Sequence, residues 1–226
     1  MPKSYDDLCA QADRVHGFVS LVQVDVMDGV FVPSVSWPYD AGRGAPLAEI
    51  FAHDELPHRE SLDYEFDLMV KRPDRDIDAW LSLGASRLLF HYESLPDIGS
   101  LLSLIPPDTR ETVEIGVAIG PHSDPEALED IAHEIDCIQV MGIEKIGYQG
   151  QAFVPETIAL VARLRDMYPH LTLCVDGSVN TETLRPLAEA GATRLTVGSA
   201  LFAHDDIEKA FFELQAIVDD FEKESL

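Results

Sequence analysis

Three carboxylates of this chain lie in or at the end of short apolar runs: Asp25, Asp67 and Asp176. An ionised carboxylate in such a run is costly unless it is paired or binds a metal ion. Carboxylates that pack together raise one another's pKa or need a cation between them. Two carboxylates on opposite sides of a substrate carbon can also remove a proton from one face and return it to the other. The pattern indicates proton transfer, cation binding or both, although a single strand-end aspartate often only caps the next turn.

Glycine-containing segments follow the last apolar runs and indicate a phosphate-binding site. Each segment alone is an ordinary turn. Several of them at successive strand ends present backbone N–H groups to an anion, as at the common phosphate site of α/β barrels. The candidate phosphate-binding residues are Gly147, Gly150, Gly177, Ser178, Gly198 and Ser199.

Short apolar runs alternate with longer amphipathic stretches, a pattern typical of βα units around a parallel sheet. It predicts strands over residues 18–26, 62–70, 87–91, 112–118, 136–141, 171–176 and 194–197. It predicts helices over residues 4–15, 46–53, 73–83, 96–104, 124–133, 155–167, 180–190 and 205–222. No linker or composition break divides the chain, so we expect one domain over residues 1–226.

The predicted fold class is α/β, a (β/α)8 barrel of the TIM type that lacks its first strand. A closed barrel needs eight strands, and the first helical pattern starts near Ser4, which leaves no room for a strand ahead of it. Either the barrel opens between its first and last strands, or another segment fills the gap. An uncovered strand edge would be a liability, because its backbone groups can pair with another chain.

The composition is strongly acidic. Among 226 residues, 41 acidic side chains face 16 basic ones, for a net charge of -25. This balance argues against nucleic acid or an anionic membrane as a partner. The start of the chain lacks an apolar signal region and no apolar run approaches about 18 residues. The three cysteines form no CxxC pair and are expected to be free thiols. We therefore expect a cytoplasmic protein.

Several segments, taken in order, carry a resemblance to a known family. They are VDVMDGVFVPS, DLMVKRP, FHYES, GVAIGP, GYQGQAFVP, VDGSVN and VGSALF. On these segments the chain resembles the ribulose-phosphate 3-epimerase family from about Phe18 to beyond Phe202. The resemblance implies a ribulose-phosphate-binding barrel, a phosphorylated ketose as substrate, pentose phosphate metabolism and a homo-oligomer. It also implies that Asp25 and Asp176 are the two acid/base residues that epimerise D-ribulose 5-phosphate and D-xylulose 5-phosphate at carbon 3.

The chain departs from this family at the metal site. The family holds a divalent metal, often zinc, with two aspartates and two histidines, and this chain has Gln23 and Asp67 at the two histidine positions. A site made of Gln23, Asp25, Asp67 and Asp176 would be all oxygen, which suits Mg²⁺ or Mn²⁺ better than Zn²⁺. The alternative is that metal binding has been lost. The phosphate loop, residues 141–151, is also one residue longer than the family pattern.

Four further residues match positions that line the family's pocket: Met27, Met69, Met141 and His91. Strand methionines are often only core residues, and a hydrogen-bonded structural role for the histidine is an equal alternative.

Two other functions stay open at this point. One is a non-catalytic descendant that binds a phosphosugar or a protein partner. The other, a decarboxylase or aldolase of the same barrel superfamily, is least supported, because Asp67 occupies the place of the lysine that those relatives carry.

Overall fold

A computed structural model describes residues 1–39, 46–52 and 54–224. Its first element is the helix α1 (Tyr5–Asp13). The hydroxyl of Ser4 accepts a hydrogen bond from the backbone N–H of Asp7 at 3.2 Å, and the Asp7 carboxylate accepts one from the N–H of Lys3 at 2.9 Å. The first bond satisfies a donor that a helix start leaves open, and the second joins the residue before the N-cap to the first turn. The structure has no strand among residues 1–20, as the sequence pattern predicts.

Seven strands follow, close to the predicted positions. They are β1 (Leu21–Met27), β2 (Asp63–Met69), β3 (Arg87–His91), β4 (Glu114–Ile119), β5 (Cys137–Met141), β6 (Thr172–Asp176) and β7 (Arg194–Thr196). The remaining helices are α2 (Leu47–Phe51), α3 (Ile77–Leu83), α4 (Ile98–Leu102), α5 (Pro107–Arg110), α6 (Glu156–Met167), α7 (Leu184–Glu189), α8 (Ser199–Phe202) and α9 (Ile207–Glu224). Within the described part of the chain, none of these helices is both long enough and apolar enough to span a bilayer.

The chain divides into two compact units, Met1–Val117 and Ala118–Leu226. In the first unit, β1, β2 and β3 are neighbours in a parallel sheet. The N–H of Asp63 donates to the carbonyl of Ser20 at 2.8 Å. Successive residues of a strand turn their backbone N–H and C=O groups to opposite sides. The backbone groups of the even-numbered residues of β1 therefore point toward β2, and those of the odd-numbered residues point toward the other edge.

The other edge of β1 is covered at its carboxyl end by the returning loop. The hydroxyl of Ser36 accepts from the N–H of Met27 at 2.9 Å and donates to the carbonyl of Asp25 at 2.7 Å. The N–H of Ser36 donates to the carbonyl of Met27 at 3.1 Å. An antiparallel bridge between Asp28 and Val35 brings the loop back. Within the first unit, one serine thus bonds the backbone groups that a preceding strand would otherwise pair.

The core of the first unit includes a cluster of aromatic side chains behind its sheet. The ring of Trp80 lies 4.9 Å from the rings of both Phe51 and Phe66, centroid to centroid, and Trp37 packs 5.6 Å from Phe51. Such tilted contacts are favourable beyond the burial of apolar area. In the second unit, β5, β6 and β7 form a parallel sheet, and Cys137 and Cys174 are buried free thiols, as expected.

Some predicted elements are wrong in type or extent. The segment predicted as a helix over residues 124–133 forms two short 3₁₀ turns, Pro125–Leu128 and Ala132–Glu134. Like charges four residues apart, at Glu126 and Asp130, disfavour a continuous α-helix there.

Several other predicted helices are shorter than expected. The helix predicted over residues 73–83 begins at Ile77, after a 3₁₀ turn at Pro73–Arg75, and the one predicted over residues 96–104 is α4. The helix predicted from residue 180 starts at Leu184, because the side chain of Asn180 accepts from the N–H of Glu182 and forms a turn. The helix predicted over residues 46–53 is α2, and His53 lies outside the described residues.

Candidate active site

Asp25 lies next to a second carboxylate in the first unit. It pairs in register with Asp67 across β1 and β2, and an oxygen of each carboxylate lies within 4.8 Å of one of the other. The amide Nε2 of Gln23 donates to Oδ1 of Asp25 at 3.1 Å. The side chain of Asp25 is 22% exposed and that of Asp67 is fully buried. The two predicted carboxylates of this unit are therefore brought together.

The surroundings of Asp25 change its acidity. Burial raises the pKa of Asp25, and the neighbouring charge of Asp67 adds to the rise. The amino group of Met1, 3.8 Å from Oδ2, and the hydrogen bond from Gln23 act in the opposite direction, and the net pKa is raised. A carboxylate with a raised pKa is a better proton acceptor, which suits a general base.

His91, at the end of β3, makes a buried pair with Asp67. Its Nε2 lies 2.9 Å from Oδ1 of Asp67, and the ring of Phe31 packs 5.5 Å away, tilted by 50°. Burial by itself lowers the pKa of His91, but the charge and hydrogen bond of Asp67, together with the charges of Glu93 and Asp25, turn the net shift upward. The other ring nitrogen, Nδ1, is buried and has no hydrogen-bond partner among the described residues.

Two of the methionines predicted to line the pocket lie two residues beyond these carboxylates. Met27 and Met69 pair in register and are buried. Asp28, the next strand-end carboxylate, accepts hydrogen bonds from the N–H groups of Val30, Phe31 and Lys71 at 2.8–2.9 Å. Asp28 therefore holds the loop after β1.

A charged row lies beneath Asp25 and Asp67 in the first unit. Glu65 and Arg87 pair in register, both are buried, and Nη1 of Arg87 donates to Oε2 of Glu65 at 2.5 Å. Nη2 of Arg87 also donates to Glu114. Sequence reasoning missed this row and Ser36. The period of two along β2 places Glu65 on the same face as Asp67, which was the available signal for the row.

In the second unit, Asp176 ends β6 and pairs in register with Met141 at the end of β5. The N–H of Gly142 donates to the carbonyl of Asp176 at 2.6 Å. A Cβ at position 142 would lie 2.2 Å from the carbonyl oxygen of Gly177, so only glycine fits there. This close approach fixes the turn that follows Asp176.

The loop after β5 is held by one side chain. Oε1 of Gln151 accepts from the N–H of Lys145 at 3.0 Å, and its Nε2 donates to the carbonyls of Lys145 and Tyr148. The hydroxyl of Ser178 donates to the carbonyl of Gln151 at 2.5 Å, which joins this loop to the turn after β6. Most of the predicted phosphate-binding residues of the second unit therefore lie on two connected loops.

The backbone at the phosphate candidates is either in a conformation that glycine favours or in an open turn. Gly147, Gly150 and Gly177 have φ angles of 82°, 73° and 105°, in the left-handed region that glycine favours. Gly198 and Ser199 are exposed at the start of α8, and no atom lies within 4 Å of a Cβ built at Gly198.

The comparison with protein families identifies the chain. The profile described as the ribulose-phosphate 3 epimerase family matches residues 4–202. The chain belongs to the ribulose-phosphate 3-epimerase family. Two curated relatives named ribulose-phosphate 3-epimerase agree with this. That of Bacillus subtilis is 29% identical over 90% of this chain and 89% of its own length. The relative from Mycobacterium bovis is 32% identical over 88% of this chain and 82% of its own length.

A solved structure shows the fold of this family member. The chain matches a crystal structure of 3-hexulose-6-phosphate synthase with a TM-score of 0.66 over 95% of both chains, at 16% identity. The identity is too low to carry function, and the similarity shows the fold alone. The fold is α/β of the TIM-barrel type, as predicted.

The donor atoms of the first unit bear on the metal that the family implies. Zn²⁺ favours nitrogen and sulfur ligands, and positions 23 and 67 offer an amide and a carboxylate. The histidine present, His91, uses Nε2 to contact Asp67. Two adjacent carboxylates fit a hard cation such as Mg²⁺ or Mn²⁺, which prefers oxygen ligands. The residues therefore fit a divalent cation but not the nitrogen-containing zinc site.

Proposed function

We propose that the protein is a ketose-phosphate 3-epimerase that interconverts D-ribulose 5-phosphate and D-xylulose 5-phosphate. The observation that carries the proposal is the partly buried Asp25, whose pKa is raised beside Asp67 at the end of β1. Family membership and the names of the curated relatives support the reaction class.

In the proposed reaction Asp25 and Asp176 are the two acid/base groups. One carboxylate takes the proton from carbon 3 and leaves an enediolate. The other, as its carboxylic acid, returns a proton to the opposite face of the same carbon, which inverts the configuration. In folds of the TIM-barrel type the catalytic groups lie at the carboxyl ends of the strands, where both aspartates occur.

The proposed cation ligands are Gln23, Asp25, Asp67 and Asp176, with Mg²⁺ or Mn²⁺ preferred. When bound, the cation supplies a positive charge that polarises the ketose carbonyl and stabilises the enediolate. The proposed phosphate contacts are backbone N–H groups of the loop after β5 and of the turns at Gly177–Ser178 and Gly198–Ser199. Met27, Met69 and Met141 supply the apolar wall of the pocket.

The test is solvent-deuterium incorporation at carbon 3 of ribulose 5-phosphate. The wild-type protein with Mn²⁺ should exchange this hydrogen, and Asp25→Asn and Asp176→Asn should each abolish exchange. Asp63→Asn, an exposed carboxylate at the start of β2, is the matched control and should exchange normally. Failure of the wild-type protein to exchange hydrogen in any ketose phosphate refutes the proposal.

A non-catalytic phosphosugar- or protein-binding descendant is the second candidate. The observation in its favour is the loss of both nitrogen ligands at positions 23 and 67. A ligand that binds only the folded state raises the melting temperature. Stabilisation by a ketose phosphate without any exchange at carbon 3 would identify this function, whereas stabilisation by Mn²⁺ together with exchange would identify the enzyme.

A further inference from the structure

The buried ring of His91 carries one polar atom that the first unit does not satisfy. Its Nε2 bonds to Asp67, while its Nδ1 is buried and has no partner in the described parts of the chain. The side chain of His91 is only 1% exposed. Nearly all buried polar atoms in proteins have a hydrogen-bond partner, so such an exception calls for a specific explanation.

The contact with Asp67 determines which ring nitrogen of His91 has no hydrogen-bond partner among the described residues. A carboxylate only accepts hydrogen bonds, so the hydrogen of the His91–Asp67 contact is on Nε2. Asp67 in turn is held in register beside Asp25. The ring of Phe31, from the loop after β1, covers the imidazole at a centroid distance of 5.5 Å. The orientation of the ring is therefore determined from two sides, and Nδ1 is the ring nitrogen that these contacts leave without a partner in the described part of the chain.

We propose that Nδ1 of His91 forms a hydrogen bond with an oxygen of the bound ketose, and that Asp67 is the positioning residue that holds the ring for this contact. The inference rests on the proposed function and adds a specificity-determining contact to it. A sugar hydroxyl is a suitable partner because it can both donate and accept, and so satisfies Nδ1 in either protonation state of the ring.

Two variants of His91 separate the binding role from a structural one. The amide nitrogen of a glutamine can replace Nε2, so His91→Gln keeps a donor for Asp67 but has no atom in place of Nδ1. Asparagine is shorter and can replace Nδ1, so His91→Asn keeps a polar atom for the ligand but loses the bond to Asp67. The experiment compares both variants with the wild-type protein. It measures the melting temperature, the Mn²⁺ content, the calorimetric Kd for ribulose 5-phosphate and deuterium exchange at carbon 3.

His91→Gln should keep the melting temperature and the Mn²⁺ content of the wild-type protein while its Kd for ribulose 5-phosphate weakens about 10- to 100-fold, as expected for one lost hydrogen bond in a buried site. His91→Asn should melt lower yet bind the sugar phosphate more tightly than His91→Gln. If His91→Gln binds and exchanges like the wild-type protein, the inference is wrong and the proposed function stands.

The wild-type protein distinguishes the remaining outcomes. If it binds ribulose 5-phosphate without exchange and His91→Gln weakens that binding, the epimerase proposal fails and the contact from Nδ1 is supported. If it neither binds nor exchanges any ketose phosphate, both proposals are overturned.

Discussion

Nε2 of His91 lies 2.9 Å from Oδ1 of Asp67, and both side chains are buried where β3 and β2 end. The resemblance to the family implies a histidine ligand at position 67, where this chain has an aspartate. A histidine is nevertheless present at this place in the fold, contributed by the next strand as a partner of that aspartate. The chemistry of the site therefore depends on carboxylate oxygens in contact with an imidazole.

Restoring the two histidines should change which metal the protein binds. The double variant Gln23→His/Asp67→His adds two nitrogen donors beside Asp25, and nitrogen donors favour Zn²⁺. We expect it to retain about one zinc ion per chain after dialysis against zinc and then metal-free buffer. The wild-type protein treated in the same way should retain none, by elemental analysis. Equal zinc retention by the two proteins would contradict the assignment of an all-oxygen site.

Ser36→Ala should destabilise the first unit. Its hydroxyl bonds the N–H of Met27 and the carbonyl of Asp25, and its loss leaves a buried donor unsatisfied. We expect the free energy of unfolding in urea to fall by about 1–3 kcal/mol. The control is Ser103→Ala, an exposed serine, for which a change within about 0.5 kcal/mol is expected. Equal effects of the two substitutions would show that the serine does not replace a strand's backbone contacts.

Gly142→Ala should be strongly destabilising and should impair catalysis. A Cβ there meets the backbone carbonyl oxygen of Gly177 at 2.2 Å, so the turn after Asp176 must shift. We expect a cost of about 3 kcal/mol in urea unfolding, at the upper end for overpacking, and slower exchange at carbon 3. Gly17→Ala is the control, because a Cβ at Gly17 meets no atom within 4 Å. A Gly142→Ala protein as stable as Gly17→Ala would disprove the close approach.

Arg87→Met should lower the free energy of unfolding by more than the replacement of both members of its buried pair does. The single substitution leaves Glu65 buried without its cation, at about 3–5 kcal/mol. Replacing both, as Glu65→Leu/Arg87→Met, removes the buried charges together and should recover most of that loss in urea unfolding. Arg185→Met, which breaks exposed ion pairs, should change stability by less than about 1 kcal/mol. A double variant that is less stable than Arg87→Met would contradict this expectation, because removing the unpaired charge of Glu65 should raise the free energy of unfolding.

Asp7 should contribute stability that is lost in acid. Hydrogen bonds from Gln11 and from the N–H of Lys3 lower the pKa of Asp7. A carboxylate with a lowered folded-state pKa stabilises the fold above its unfolded pKa of about 3.9, and this contribution disappears as pH falls through the folded pKa. Asp7→Asn should therefore reduce the difference between the urea unfolding midpoints measured at neutral and at acidic pH, whereas the control Asp6→Asn should not. Parallel pH profiles of wild type and Asp7→Asn would contradict the assignment.

The strands and their terminal carboxylates could be predicted because each follows from local pattern. Buried parallel strands are apolar throughout, so an interrupting carboxylate such as Asp25 stands out in the sequence. The role of Ser36 could not be predicted, since it depends on a loop returning to β1 from a distance. The pair of Glu65 and Arg87 required the register between two strands, which their spacing of 22 residues does not specify.

The apolar pattern also could not predict that one segment forms 3₁₀ turns instead of an α-helix. The stretch over residues 124–133 has helical spacing of its apolar residues, yet it forms short 3₁₀ turns, and its like charges four residues apart disfavour the α-helix that the pattern predicts.

The clamp made by Gln151 has a consequence for how this protein can change its substrate. Its amide bonds both backbone groups of Lys145 and the carbonyl of Tyr148, so one side chain closes the loop through backbone contacts. The side chains of Ile146, Tyr148 and Gln149 can therefore be varied, with Gly147 and Gly150 kept because of their left-handed backbone, while Gln151 keeps the loop attached to Ser178. If the loop binds the substrate phosphate as proposed, a library restricted to those three positions would alter ligand preference while the strands keep their sequence.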